Sequence, residues 1–231
     1  MLPNFGLTII LSAVEFFSER ISRYIERYHI KIVSLNAGIM LSFLFLLVFP
    51  ELFEKATGVD NTIFFFLFLG FIAFHLTEKF VYRHTKDQKE LKKELGLLHL
   101  GGFYITGMVE GMALLFSARF IGITASSLIF VPLLLNSINA SVYMVHLSEK
   151  LWKNRVLDLV LATGPIIGYL LAFGLSGHTS FTYSIFAFVS GALLYTVVRD
   201  TLPAGKKGEP VLFVIGVLIT MLTLQLAGFL F

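Results

Sequence analysis

Eight apolar runs separated by polar connections organise the chain of 231 residues. They are Leu2–Phe17, Ile32–Leu52, Ile63–Phe80, Leu97–Phe116, Ile121–Leu147, Val156–Leu175, Phe181–Val198 and Val211–Phe231. Most approach or exceed the roughly 20 residues that cross a bilayer. The pattern predicts an all-α membrane protein with eight transmembrane helices, a single polytopic domain over 1–231. The first run is the weakest, being short and carrying Glu15. An interfacial first helix would leave the other seven unchanged.

Charge orients the bundle. The connections after runs one, three, five and seven hold sixteen of the 18 Lys and Arg residues; only Lys55 and Arg119 lie elsewhere. Basic residues concentrate in cytoplasmic loops, so both termini are expected outside, in a protein of the cell membrane. The stretch 81–96 is then a cytoplasmic loop, solvated and charged, with Asp/Glu–Lys spacings that allow a helix. The net charge of +3 serves topology and implies no nucleic-acid partner.

Mean hydropathy of +0.83 and 56% apolar residues exclude an ordinary soluble domain. Cysteine is absent, which removes disulfides, thiolate metal sites and cysteine nucleophiles. The opening MLPNFG lacks the basic region of a signal peptide and is expected to stay as a helix.

The candidate chemistry lies in 97–147, the central helix pair. Glu110 is a carboxylate deep in an apolar run, a costly placement that marks a functional site by default. Thr106 precedes it by one turn on the same face; Asn136 and Asn139 share a face of the next run, and Ser137 and Ser141 form a second polar row. An antiparallel pair brings these rows together. Carboxylate, amide and hydroxyl oxygens suit hard cations better than zinc. Helix-to-helix hydrogen bonding is the plainer use of the amides and hydroxyls.

Pro132 and Pro165 interrupt two runs and free backbone carbonyls, while Gly101, Gly102, Gly107 and Gly111 let another helix approach the fourth run. Glu51, Glu54 and Asp60 cluster outside, either as a cation-concentrating mouth or as ordinary loop solvation. His75 with Glu78 and His146 with Glu149 are spaced for weak interfacial sites or for snorkelling beside Lys79 and Lys150. No hydrolase, phosphate-loop or dinucleotide motif is present, so no enzyme is expected.

From the second run onward the chain resembles the ZIP family of metal-ion transporters. Pro50 and Glu51 match the end of that family's second helix, with Leu47 where a His stands. Gly191, Leu194, Tyr195, Asp200, Leu202 and Pro203 match its seventh. In the fourth helix the family's His-Asn-x-x-Asp-Gly reads TGMVEG here, keeping only a carboxylate, Glu110. In the fifth, His-Glu-x-Pro-His-Glu reads NSINAS from Asn136 to Ser141. The resemblance implies a 3+2+3 fold, with helices 1–3 and 6–8 an inverted repeat around the central pair, and a homodimer. It implies transport of a divalent metal cation as substrate, without a bound cofactor, with Glu51 and Asp200 as entrance and exit candidates. The missing histidines leave a second expectation: a non-transporting scaffold or regulatory partner-binding protein.

Overall fold

The computed structural model describes residues 4–55, 62–84, 88–147, 155–175, 179–201 and 208–229. Among these are eight long helices and no strand. Helix α1 is Phe5–Ile25; α2 starts as His29–Phe43, passes through a π-helical turn Leu44–Val48 and ends as Phe49–Lys55. Helix α3 is Thr62–His84 and α4 is Gln88–Phe116, closed by a π-helical turn Ser117–Ile121. Helix α5 is Ile123–Leu147, α6 Arg155–Leu175, α7 Thr179–Thr196 with a π-helical turn Val197–Thr201, and α8 Pro210–Leu226.

The helices follow the apolar runs, with two differences. Helix α1 continues past Phe17 to Ile25. Most of the stretch expected as a loop at 81–96 is helical, since α4 begins at Gln88; Glu90 and Lys93 are spaced i, i+3 for an ion pair. Four segments are long and apolar enough to cross a membrane: His29–Glu54, Phe103–Ile121, Arg155–Leu175 and Phe181–Arg199. Phe5–Phe17, Thr62–Thr77, Ile123–Ile138 and Pro210–Leu226 are shorter apolar helices. Large apolar side chains cover the outside, among them Phe64, Phe65 and Phe68 of α3 and Val211, Leu218 and Leu222 of α8. A surface of that kind fits lipid and not water.

Backbone-to-backbone contact at glycines sets the packing. A Cβ on Gly111 of α4 would fall 1.9 Å from the Pro165 carbonyl oxygen of α6, and one on Gly168 of α6 1.9 Å from that of Met108. Gly70 of α3 and Gly191 of α7 form the same reciprocal pair, at 2.0 Å from Phe188 and 1.9 Å from Leu67. Gly38 of α2 and Gly216 of α8 form a third, at 2.2 Å from Phe213 and 2.4 Å from Leu35. Only glycine permits these approaches, which membrane helices use because lipid supplies no hydrophobic drive to hold them together.

Cross-helix bonds fix the relative directions of α1, α4 and α5. Asn4 bonds to the Ile123 carbonyl and Glu15 meets Ser137, so α1 and α5 run parallel. Ser126 bonds back to the Leu114 carbonyl and Asn136 to Glu110, so α4 and α5 run antiparallel.

The principal contacts are α2 with α8, α3 with α7, α4 with α6, α1 with α5 and α6, and α5 with α2 and α4. Exchanging α1–α3 for α6–α8, and α4 for α5, leaves this set unchanged apart from turning α2–α5 into α7–α4, which is also present. Two of the three π-helical turns among the described residues, those of α2 and α7, obey the same exchange; the turn that closes α4 has no counterpart in the described residues of α5. Leu44 stands six residues after Gly38, and Val197 six after Gly191. The packing therefore has an internal two-fold repeat.

Candidate functional site

The site is built where α1, α4 and α5 converge. Gly107, one turn before Glu110, leaves a notch on α4: a Cβ there would lie 2.9 Å from Glu15 Oε1 and 3.2 Å from Pro165 Cδ. The Glu15 carboxylate occupies the notch. Glu110 follows on α4, flanked by Val109 and by Gly111, whose missing side chain lets α6 close over the helix. From α5, Asn136 reaches Glu110 and Ser137 reaches both acids.

The Asn136 amide Nδ2 donates to Glu110 Oε1 at 2.8 Å. Ser137 Oγ lies 3.0 Å from Glu110 Oε2 and 3.0 Å from Glu15 Oε1. Glu110 is 0% exposed, Asn136 1%, Ser137 2% and Glu15 3%. Glu15 Oε2 has no hydrogen-bond partner among the described residues. Neither acid forms an ion pair there.

Proton counting gives this arrangement its chemistry. A serine hydroxyl has one hydrogen and can donate to only one carboxylate. The second 3.0 Å contact needs either a proton on the other acid or a cation that draws the oxygens together. Two carboxylates beside one hydroxyl, away from water, repel strongly unless one of these compensates them.

The polar row extends along α1. Thr8, Ser12 and Glu15 follow at i, i+4 and i+7, all buried, and the hydroxyls of Thr8 and Ser12 lack partners. Ser117, at the far end of α4, is likewise buried without a partner.

Of the sequence-predicted residues, Glu110, Asn136 and Ser137 come together. Thr106 is buried one turn before Glu110. Asn139 and Ser141 lie on α5, but their side chains fall outside the described residues, as do those of Glu51 and Asp200. His75 packs edge-on against Tyr195, with ring centroids 5.8 Å apart. Glu78, His146 and Glu149 fall outside the described side chains. Leu47, at the position of the family's histidine, is buried in the apolar core. Among the described residues no three His, Cys, Asp or Glu side chains gather as a metal cluster.

Glu15 is the residue that sequence reasoning missed. Its signal was the Thr8–Ser12–Glu15 stripe, which puts three polar side chains on one face of an otherwise apolar helix. No protein-family model matches the chain, and no curated protein matches it.

Proposed function

We propose that this protein is a multi-pass membrane transporter for a divalent metal cation. The observation behind the reading is the meeting of Glu15 and Glu110 at one buried hydroxyl, with no ion pair from the described residues to neutralise them. A hard dication balances both charges and accepts oxygen donors from the two carboxylates, Ser137 and the Asn136 amide, once that amide turns. Glu110 and Glu15 are the anionic ligands, and Thr106 adds a hydroxyl one turn away.

In this reading the fold is ZIP-like: eight spans with both termini extracytoplasmic, and helices 1–3 and 6–8 an inverted repeat around the α4–α5 pair. The exchange symmetry of the helix contacts and the opposed directions of α4 and α5 support it, and the distribution of Lys and Arg supports the orientation. Glu51 and Asp200 are the mouth candidates.

A second reading, a non-transporting scaffold or partner-binding relative, is favoured by Leu47 in place of histidine and by the lack of a three-ligand cluster among the described residues. Uptake of Mg²⁺, Mn²⁺, Cd²⁺ and Zn²⁺ by proteoliposomes separates the two. The transporter reading expects uptake of at least one ion, lost in Glu110→Gln. Protein-free background rates for every ion support the scaffold.

A further inference from the structure

A second charged site lies at one end of the bundle, apart from the carboxylate pair. A cavity of about 110 Å³ opens where the second half of α1 meets the start of α6, lined by Phe16, Phe17, Arg20, Arg155 and Asp158. The Arg20 guanidinium sits over the Phe17 ring, 6.0 Å from its centroid. Both arginines are exposed, and neither has an ion-pair partner among the described residues. Asp158 is nearly buried beneath them. Among the described lining residues two guanidiniums stand against one carboxylate, a net positive balance.

The flanking sequence is basic on balance. Helix α5 runs parallel to α1, so the α5–α6 connection leaves from the same end as the α1–α2 connection. In the chain Arg23, Arg27 and Lys31 follow Arg20 against Glu19 and Glu26, and Lys150 and Lys153 precede Arg155 against Glu149. The only tryptophan, Trp152, stands next to Lys153, a residue type enriched at the headgroup level of membranes.

Phe16 and Phe17 give the cavity an apolar side. On the neighbouring surface Phe17, Val156 and Leu159 are 46%, 69% and 58% exposed, the last two standing one and four residues after Arg155 on α6. A free anion gains nothing from such a surface. An amphiphile does: its phosphate meets the arginines and its hydrocarbon lies along the exposed side chains. Arginine forks hold phosphate oxygens in pairs, and basic pockets between membrane helices bind anionic headgroups.

We propose that this pocket binds the phosphate of an anionic phospholipid, with acyl chains along Phe17, Val156 and Leu159. The site does not depend on the carboxylate pair, so it stands or falls separately from the transport reading.

The test is thermal unfolding of the delipidated, full-length protein in detergent. Three additives are compared at matched phosphate concentration: phosphatidylglycerol, phosphatidylcholine and inorganic phosphate. Phosphatidylglycerol is expected to raise Tm by about 3 °C at tenfold its Kd. The other two leave Tm unchanged, and Arg20→Gln/Arg155→Gln abolishes the shift. An equal shift with inorganic phosphate identifies a free-anion site and overturns the lipid assignment. An equal shift with phosphatidylcholine, or a full shift in the double variant, overturns it too. If the double variant does not fold, native mass spectrometry of the unsubstituted protein decides. Preferential retention of phosphatidylglycerol over phosphatidylcholine supports the proposal, and equal retention overturns it.

Discussion

The flanking helix pairs and the central helices treat their polar side chains differently. In α3, α7 and α8 most hydroxyls turn back on their own helix: Thr77 to the Ala73 carbonyl, Ser190 to Phe186, Thr196 to Ala192, Thr220 to Gly216 and Thr223 to Ile219; Thr182, at the start of α7, instead reaches the Leu175 carbonyl of α6. Such bonds satisfy the group locally and ask nothing of a neighbour. In α1, α4 and α5 the buried polar groups cross between helices, as with Ser126 to Leu114, Asn136 to Glu110 and Ser137 lying against both acids, while the exposed Ser127 turns back to Ile123. Others there, in Thr8, Ser12, Glu15 and Ser117, find no partner. An orphaned buried polar group costs about 1–3 kcal/mol. Part of that cost lies on the α1 stripe that ends at Glu15, where a ligand or proton would offset it; Ser117 lies apart from the carboxylates. Asn36 of α2, with both amide atoms unpartnered, is an exception on the flank for which the structure offers no account.

The contrast breaks most sharply at the acids. Glu110→Gln and Glu15→Gln should each abolish cation uptake in proteoliposomes. Yet the folded protein should lose little stability, because neutralising a buried charge that lacks an ion pair relieves its desolvation cost. A variant that unfolds without losing uptake per folded molecule would reverse the assignment of these groups to function.

Next in size are the glycines. Gly111→Ala drives a methyl into the Pro165 carbonyl, and Gly191→Ala does the same at Leu67. Each should destabilise by about 1–3 kcal/mol in denaturation experiments. Only Gly111→Ala should also weaken cation affinity, since Gly111 adjoins Glu110. Equal affinity losses in both would erase the distinction between centre and flank.

Hydroxyl removal sharpens the comparison further. Ser137→Ala strips both carboxylates of a shared partner and should lower cation affinity about tenfold, the equivalent of one lost hydrogen bond to a charged group. Ser190→Ala, which removes only a bond within its own helix, should change stability by no more than about 0.5 kcal/mol and leave affinity alone. Calorimetric titration and thermal melts of both variants check this.

Much of the architecture was legible before any coordinates. Long apolar runs anticipated the eight helices among the described residues, because lipid forces backbone polar groups into helices. Glu110, Asn136 and Ser137 stood out because carboxylates and amides are rare in hydrocarbon. Glu15 did not, since beside Phe16 and Phe17 it reads as a flaw in a short span. Its role depends on the Gly107 notch, a contact between residues far apart in sequence. The internal repeat was also hidden. Gly38 and Pro50 are separated as Gly191 and Pro203 are, but the apolar residues between them differ, and the shared spacing gains meaning only from the matching π-helical turns. The helical character of 88–96 was open in the sequence and follows from the continuity of α4.

The central claim is that Glu15 and Glu110, from helices remote in sequence, make one cation site. Isothermal titration of the purified protein with Mg²⁺, Ca²⁺, Mn²⁺, Cd²⁺ and Zn²⁺ tests it most directly, beside Glu15→Gln and Glu110→Gln. The account predicts saturable binding of at least one ion by the unsubstituted protein and loss of that binding in each single variant. Binding that survives Glu15→Gln at full affinity would contradict it.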